Sequence, residues 1–497
     1  VGCYTDTGAH HRLHLGGFKT HPIFMSNQTK PHLIVPIFTV VLSLCVYALT
    51  MPTDLTSGIF GTDSGELITA SFTYGIPHPT GYPTWSIVSR WFAHLPIGQT
   101  IAHRYNLFSA VCMSCALGVL TLSTFKLSPT SWWTAPIAAS LTAGFTLTVW
   151  SQAVITEVYA LNSLMISLVI LALVYLHNVD QPSSLFVIVL GALCGLAVTT
   201  HLTSVFLLPI TGILLLPHWK KIPWAALGFV LGLTPFLLLF VRASSVSPVV
   251  WGDTSTISGF WWLVSGVVYR TNASSIELVE IGNRMRPFLR LVPLDPALLI
   301  PIGGLLGLFA LQPKNRNLQN YLLPIGLVLT AAIYTGYAFN YNTGDWRVFL
   351  LPANLLLVIP LGYLLNMFKH WGFLLPVLML VANFQSITNF QADDTREQWQ
   401  MVAEQAPENA VLISDGRDRT IFPLWYFRFT EELRPDLIII DYNLFQFDWY
   451  RNDLKRDYPN LTALEEDNLT LFRSQNGAEQ PICDISLHPF ALACTDG

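Results

Sequence analysis

Eleven runs of about 20 mostly apolar residues constrain this chain more than any other feature. They lie at 33–51, 105–124, 133–150, 159–176, 184–200, 203–217, 223–241, 291–311, 321–339, 348–367 and 371–389. A helix needs about 20 such residues to cross a bilayer. The runs therefore predict a polytopic α-helical membrane protein with about eleven transmembrane helices. Charged residues make up 11% of the 497, fewer than half the roughly 25% usual in soluble domains. They are also unevenly placed: 29 lie in 391–497 and 28 in everything before. The chain divides into an N-terminal cytoplasmic segment at 1–32, a transmembrane domain at 33–390 and a polar domain at 391–497. Residues 1–24 lack the apolar stretch of a signal peptide, and Met25 opens a more typical membrane-protein start. Whether residues 1–24 are native stays open, and they carry no part of the functional reading. A net charge of −5 argues against a nucleic-acid partner.

Placing the N-terminus in the cytoplasm and alternating puts the long segments 52–104 and 242–290 outside. Every lysine of the membrane part then falls inside, as positive-inside bias favours. Of its eleven acids, nine fall outside: Asp54, Asp63, Glu66, Glu157, Asp253, Glu277, Glu280, Asp295 and Asp345. Carboxylates and arginines gathered on one face predict a polar site there, because the guanidinium fork suits phosphate. Ordinary loop solvation is the plain alternative. An odd number of spans puts the C-terminal domain outside as well. Its pattern predicts a small α/β unit, with strands at 410–414 and 436–441 and helices at 420–432 and 446–458. Cys483 and Cys494 would form a disulfide if that domain faces an oxidising compartment. Cys45, Cys112, Cys115 and Cys194 sit in apolar runs, as packing residues do.

The first outer loop is too long for a bare connection. It carries GTDSGELITASFTYGIPHPTGYPTW, with short amphipathic helices expected at 67–74 and 83–95. Asp63 and Glu66 stand three apart at the start of the first, which is also the spacing of a helix capping box. A carboxylate at a membrane surface can equally take the proton from an acceptor hydroxyl. Glu157, in WSQAVITEVYALN, is either a cap or a site residue, since acids in membrane segments are costly. His201 is either a bonded turn residue or part of that site. The second outer loop, WGDTSTISGFWWLVSGVVYR, offers Arg270 as a phosphate partner. YNTGDWR offers Asp345 and Arg347, whose plain reading is a mutual salt bridge.

TDSGELITASFTYGIPHPTGYPTW, HRYNLFSA, WSQAVITEVYALN, WGDTSTISGFWWLVSGVVYR and YNTGDWRVFLLPAN together resemble the membrane family of domain of unknown function 2723. That family includes protein O-mannosyltransferases of the transmembrane protein 260 type. VLISDGRDRTIFPLWYFRFTEELRPDLIIIDYNLFQFDWYRNDL resembles the stretch that follows the domain in bacterial members. The resemblance spans roughly 33–460. It implies a GT-C glycosyltransferase, which takes sugar from a polyprenyl-phosphate carrier on the non-cytoplasmic side. An acid in the first outer loop serves there as catalytic base, which places that role on Asp63 with Glu66 as the nearby second carboxylate. Mannose is implied by the characterised relatives.

The expectation is inverting transfer to an acceptor hydroxyl, on protein, or alternatively on a glycolipid or cell-wall glycan. His78, Tyr82, Glu157, His201, Arg270, Asp345 and Arg347 are the candidate substrate-binding residues, with Arg270 or Arg347 offsetting the leaving phosphate. No metal site and no cofactor beyond the lipid-linked donor are expected, although a divalent ion at Asp63 stays open. A lipid or sugar transporter is the rival outside the enzymes. It would show charges at the bilayer midplane and related halves, and neither is evident.

Overall fold

The computed structural model describes residues 29–58, 61–127, 133–273, 276–289, 299–310, 318–389 and 393–495. The expectations for residues 1–24, Arg290 and Asp295 lie outside these. All eleven apolar runs meet helix. Seven stretches among the described residues are long and apolar enough to cross a membrane, with Leu202–Arg242 counted once, and an eighth if one bent pair is a single span.

That bent pair corrects the run 133–150. It is two helices, Thr134–Gly144 and Leu147–Val154, meeting at 73°. Thr146 leaves the helical region and caps the second helix by accepting from the Val149 N–H, which satisfies an end donor. The bend brings the following segment, with Glu157, toward the first outer loop, and the Ser64 hydroxyl donates to the Thr156 carbonyl at 2.8 Å.

Close helix contact depends on glycine where two apolar helices cross. Helix Ser184–Thr200 packs against Ile222–Gly232. A Cβ on Gly191 would stand 2.1 Å from the Ala225 carbonyl oxygen, and one on Gly228 2.0 Å from that of Ile188. Gly195 and Gly232 repeat the pattern one turn on, at 2.4 and 2.3 Å from opposing backbone oxygens. Small residues four apart let helix backbones approach in lipid. A Gly228→Leu substitution must push these helices apart, so a drop in detergent-solubilised Tm of ~5 °C or more is expected. An unchanged Tm would show that the crossing is not a structural joint.

The C-terminal sheet has four strands: β1 (Val411–Ser414), β2 (Ile438–Ile440), β3 (Ile482–Leu487) and β4 (Phe490–Thr495). Their order is β2-β1-β3-β4, with β1 parallel to β2 and β3, and β4 antiparallel to β3. The sequence pattern signals β1 and β2 but not the β3–β4 hairpin, where Cys483 and Cys494 are paired across the strands and joined by a disulfide. The expected helix at 420–432 is an α-helix, Asp418–Trp425, followed by a π turn, Tyr426–Thr430.

This domain is fastened to the membrane part. Arg396 is paired with both Asp54 of the first outer loop and Glu431, at 2.7 Å to the latter. Asp393 accepts from Thr56 Oγ1 at 2.6 Å and from the Gly58 N–H at 2.9 Å. One buried apolar core runs from the membrane helices through Trp399 into β1 and β2.

Candidate active site

The first outer loop builds the floor of the site. The helix Ser64–Phe72 begins right after Asp63, yet Asp63 makes no side-chain cap bond and its backbone is already helical. The capping-box reading therefore fails. Among the described residues no hydrogen bond reaches the Asp63 carboxylate. It faces a cavity of about 680 Å³.

Glu66 is committed elsewhere. Its side chain is fully buried and does not line the cavity. One oxygen accepts from the His78 backbone N–H at 2.8 Å, and the other lies 2.9 Å from His78 Nδ1. This corrects its expected role as a second catalytic carboxylate: Glu66 is one turn into the helix, so it points into the loop that it holds. His78 then presents Nε2 to the cavity, 3.8 Å from Asp63 Oδ2 and 3.2 Å from the Tyr82 hydroxyl. Burial alone would lower the pKa of His78. The Glu66 carboxylate, with Asp63 and Asp418, outweighs it and holds the imidazolium up to about 9.

Asp63 is recessed rather than sealed, with 38% of its side chain still accessible. The recess raises its pKa to about 6, His78 pulling it down while Asp345 and Glu66 push it up. At neutral pH the site thus holds an ionised Asp63 beside a protonated His78.

Tyr82 keeps its place through an uncommon backbone. Its φ is 38° and ψ 51°, in the left-handed region, directly before Pro83 opens the next helix. Such a conformation costs ~1–3 kcal/mol in a non-glycine residue and gathers at functional sites. Its ring stacks on His201, with centroids 5.8 Å apart and planes at 17°. His201 is both things the sequence allowed, a turn residue bonded to Thr203 at 2.8 Å and a cavity wall. Burial, then His78, lowers its pKa to about 4, so it is neutral. Tyr159 and Phe349 complete an aromatic wall around it, at 5.2 and 6.2 Å between centroids.

Glu157 lines the cavity while being 5% exposed. Burial, followed by the charges of Asp63 and Asp345, raises its pKa well above the ordinary carboxyl range. The shift favours its protonated form, in which a carboxyl can donate a hydrogen bond. Glu157→Gln is expected to keep most activity, because an amide also donates. Glu157→Ala should lose ~10-fold or more. A turnover assay showing equal loss for both would make the charge of Glu157 necessary and contradict this role.

Arg270 and Asp345 also line the cavity, and Thr343 Oγ1 donates to Asp345 at 2.5 Å. Arg347 does not line it. Its guanidinium lies over the Trp346 ring at 5.7 Å, which leaves Arg270 as the cavity's arginine among the described residues. The two outer loops meet in a short parallel bridge: Ile76 N–H donates to Val249 O at 2.9 Å, and Trp251 N–H to Ile76 O at 3.0 Å. Further along the second loop, Arg270 lines the same cavity as Asp63. Sequence reasoning passed over Tyr159, Tyr269 and Asp418 as wall residues. Tyr159 stands two residues from Glu157, which was the available signal. Among the described residues no group of three or more His, Cys, Asp or Glu side chains is arranged to hold a metal ion.

Fold and cavity define a polytopic helical membrane protein with an acidic, aromatic-walled pocket between its spans and a docked α/β domain. Residues 63–223 match the family model of the protein O-mannosyl-transferase TMEM260 N-terminal domain, and 396–471 that of TMEM260-associated domain 2. Protein O-mannosyl-transferase TMEM260 of Mus musculus is 25% identical over 460 residues, covering 84% of this chain and 63% of that protein. Its Dictyostelium discoideum counterpart is 22% identical over 476 residues, covering 82% and 57%. The resemblance read in the sequence is borne out: the chain is related to the TMEM260 proteins. It spans about three fifths of the length of these curated relatives. A looser likeness joins it to the crystal structure of ArnT from Cupriavidus metallidurans bound to undecaprenyl phosphate. That match has a TM-score of 0.42 and 14% identity, over 82% of this chain and 90% of that one.

Proposed function

We propose that this protein is a membrane glycosyltransferase of the GT-C type. It moves a sugar, mannose by its relatives' names, from a polyprenyl-phosphate carrier to an acceptor hydroxyl on protein at the extracytoplasmic face. The observation that carries the reading is the Asp63 carboxylate. It accepts no hydrogen bond among the described residues, is recessed in the cavity and has an imidazolium fixed by Glu66 beside it. The Cys483–Cys494 bridge and the inner placement of the membrane-part lysines support the outer side.

In this mechanism the acceptor hydroxyl gives its proton to Asp63 as its oxygen bonds to the anomeric carbon. The bond from that carbon to the phosphate oxygen breaks on the far side, and the lipid phosphate leaves with the electron pair, which inverts the configuration. Arg270 and the His78 imidazolium offset the charge gathering on the phosphate. Glu157 donates to a sugar hydroxyl, and the Tyr82, His201 and Tyr159 rings pack against the sugar. Glu66 and Asp345 act through position and charge.

The test is incubation of the purified chain with radiolabelled polyprenyl-phosphate mannose and a membrane-protein extract, followed by release and analysis of the labelled product. Label on protein, with its anomeric configuration inverted, is expected. Label on lipid or glycan would keep the enzyme class and overturn the protein acceptor. No transfer from this donor would overturn the donor assignment.

A further inference from the structure

The C-terminal domain reaches the cavity through one loop. β1 ends at Ser414, the chain turns at Gly416 with φ at +76°, and the helix Asp418–Trp425 begins. The carboxyl end of a parallel strand is where α/β units hold ligands. Here that end is laid directly on the first outer loop. A Cβ on Gly65 would stand 2.4 Å from the Phe422 carbonyl oxygen, so the two helices meet with backbone against backbone. Arg419 Nε donates to the Ser57 carbonyl at 3.2 Å. The contact sets Asp418 and Phe422 into the wall of the same cavity that Asp63 and His78 line.

An acid in the first turn of a helix needs no special explanation, because it complements the helix dipole. That accounts for the residue type but not for its placement in the cavity wall. Among the described residues no hydrogen bond or ion pair engages the Asp418 carboxylate. Asp418 is exposed; partial desolvation at the cavity wall, then the charge on Asp63, holds its pKa up at about 6, so the two carboxylates feel one another through the cavity. One part of the wall is apolar and aromatic, at Val205, Phe206, Tyr337 and Phe349. Those residues lie on or beside the membrane-spanning stretches Leu202–Arg242, Tyr321–Asn340 and Trp346–Asn366. The cavity thus has a side suited to a lipid chain and a side suited to a polar one.

We propose that Asp418 is an acceptor-binding residue. It accepts N–H and O–H donors of the acceptor chain and so sets which hydroxyl is presented to Asp63. The docked α/β domain is then part of the substrate site. This inference rests on the glycosyltransferase reading and assigns no bond-making step to Asp418.

The test compares wild type, Asp418→Ala, the isosteric Asp418→Asn and Asp415→Asn in the full chain. Half-saturation is measured separately for the membrane-protein extract and for polyprenyl-phosphate mannose. Losing a hydrogen bond to a charged group should raise the half-saturating extract ~10-fold in Asp418→Ala and leave the donor's within about 2-fold. Asp418→Asn should fall between. Asp415, paired with Arg417 at 2.8 Å and outside the cavity wall, should behave as wild type. An equal rise for donor and extract, no change in either, or the same defect in Asp415→Asn would overturn the proposal. Absence of transfer by the wild type would instead sink the glycosyltransferase reading beneath it.

Discussion

Asp63→Asn should lower the turnover of sugar transfer by ~10²–10⁴, the range general-base catalysis supplies. The substitution keeps shape and removes the proton acceptor. No hydrogen bond of the fold depends on the charge, since none among the described residues reaches the carboxylate, and its contact with His78 Nε2 is a loose one at 3.8 Å. The variant should therefore purify with wild-type yield and Tm and should still bind the lipid-linked donor. A loss of yield in place of turnover would make Asp63 structural. Full activity would remove it as the base.

Glu66→Ala should be the most damaging change for the fold of the loop. Glu66 is completely buried and accepts from both the backbone and the ring of His78. Removing one partner of a buried ion pair costs ~3–5 kcal/mol, enough to unseat the segment from His78 to Tyr82. Glu66→Gln is the informative variant, because it can keep one hydrogen bond and lose the charge. His78 should then titrate well below about 9, where it stands now. The sign follows from the direction of the shift. His78 is raised above its unfolded value, so the pair's contribution to stability is fully present below the unfolded pKa and lost as pH rises through about 9. In Glu66→Gln the loss of activity on the alkaline side should begin at lower pH. An unmoved alkaline limb would mean that the imidazolium does not take part.

Much of this arrangement is legible in the sequence because membrane burial writes itself in apolar runs, and each run meets helix. The bend at Phe145 escaped because Gly144, Phe145 and Thr146 are compatible with a continuous apolar helix. Only the Thr146 cap distinguishes them, and threonine is common within membrane helices. Seven of the nine candidate residues line one cavity: Asp63, His78, Tyr82, Glu157, His201, Arg270 and Asp345. Acids and arginines in apolar surroundings are costly enough to be noticed. Spacing puts Asp63 and Glu66 on one side of the helix start, yet Asp63 stands at its mouth facing the cavity while Glu66, a turn deeper, is buried against His78. Arg347 was grouped with Asp345 by adjacency alone, and neighbouring side chains diverge. Asp418 lies in a charged run, DGRDR, after the strand expected at 410–414. Its place in the cavity comes from the docking of Gly65 against Phe422 across more than 350 residues of chain, which no local pattern carries.

The central claim, that Asp63 is the base beside a protonated His78, is tested most directly by the pH dependence of transfer in wild type and Asp63→Asn. Asp63 must be ionised and His78 protonated, so wild-type turnover should rise through about pH 6 and fall through about pH 9. The residual activity of Asp63→Asn should lack the lower limb and keep an upper one at somewhat lower pH, because the Asp63 charge helps hold the His78 imidazolium. A limb near pH 6 that survives in Asp63→Asn would assign the base to another group and contradict the account.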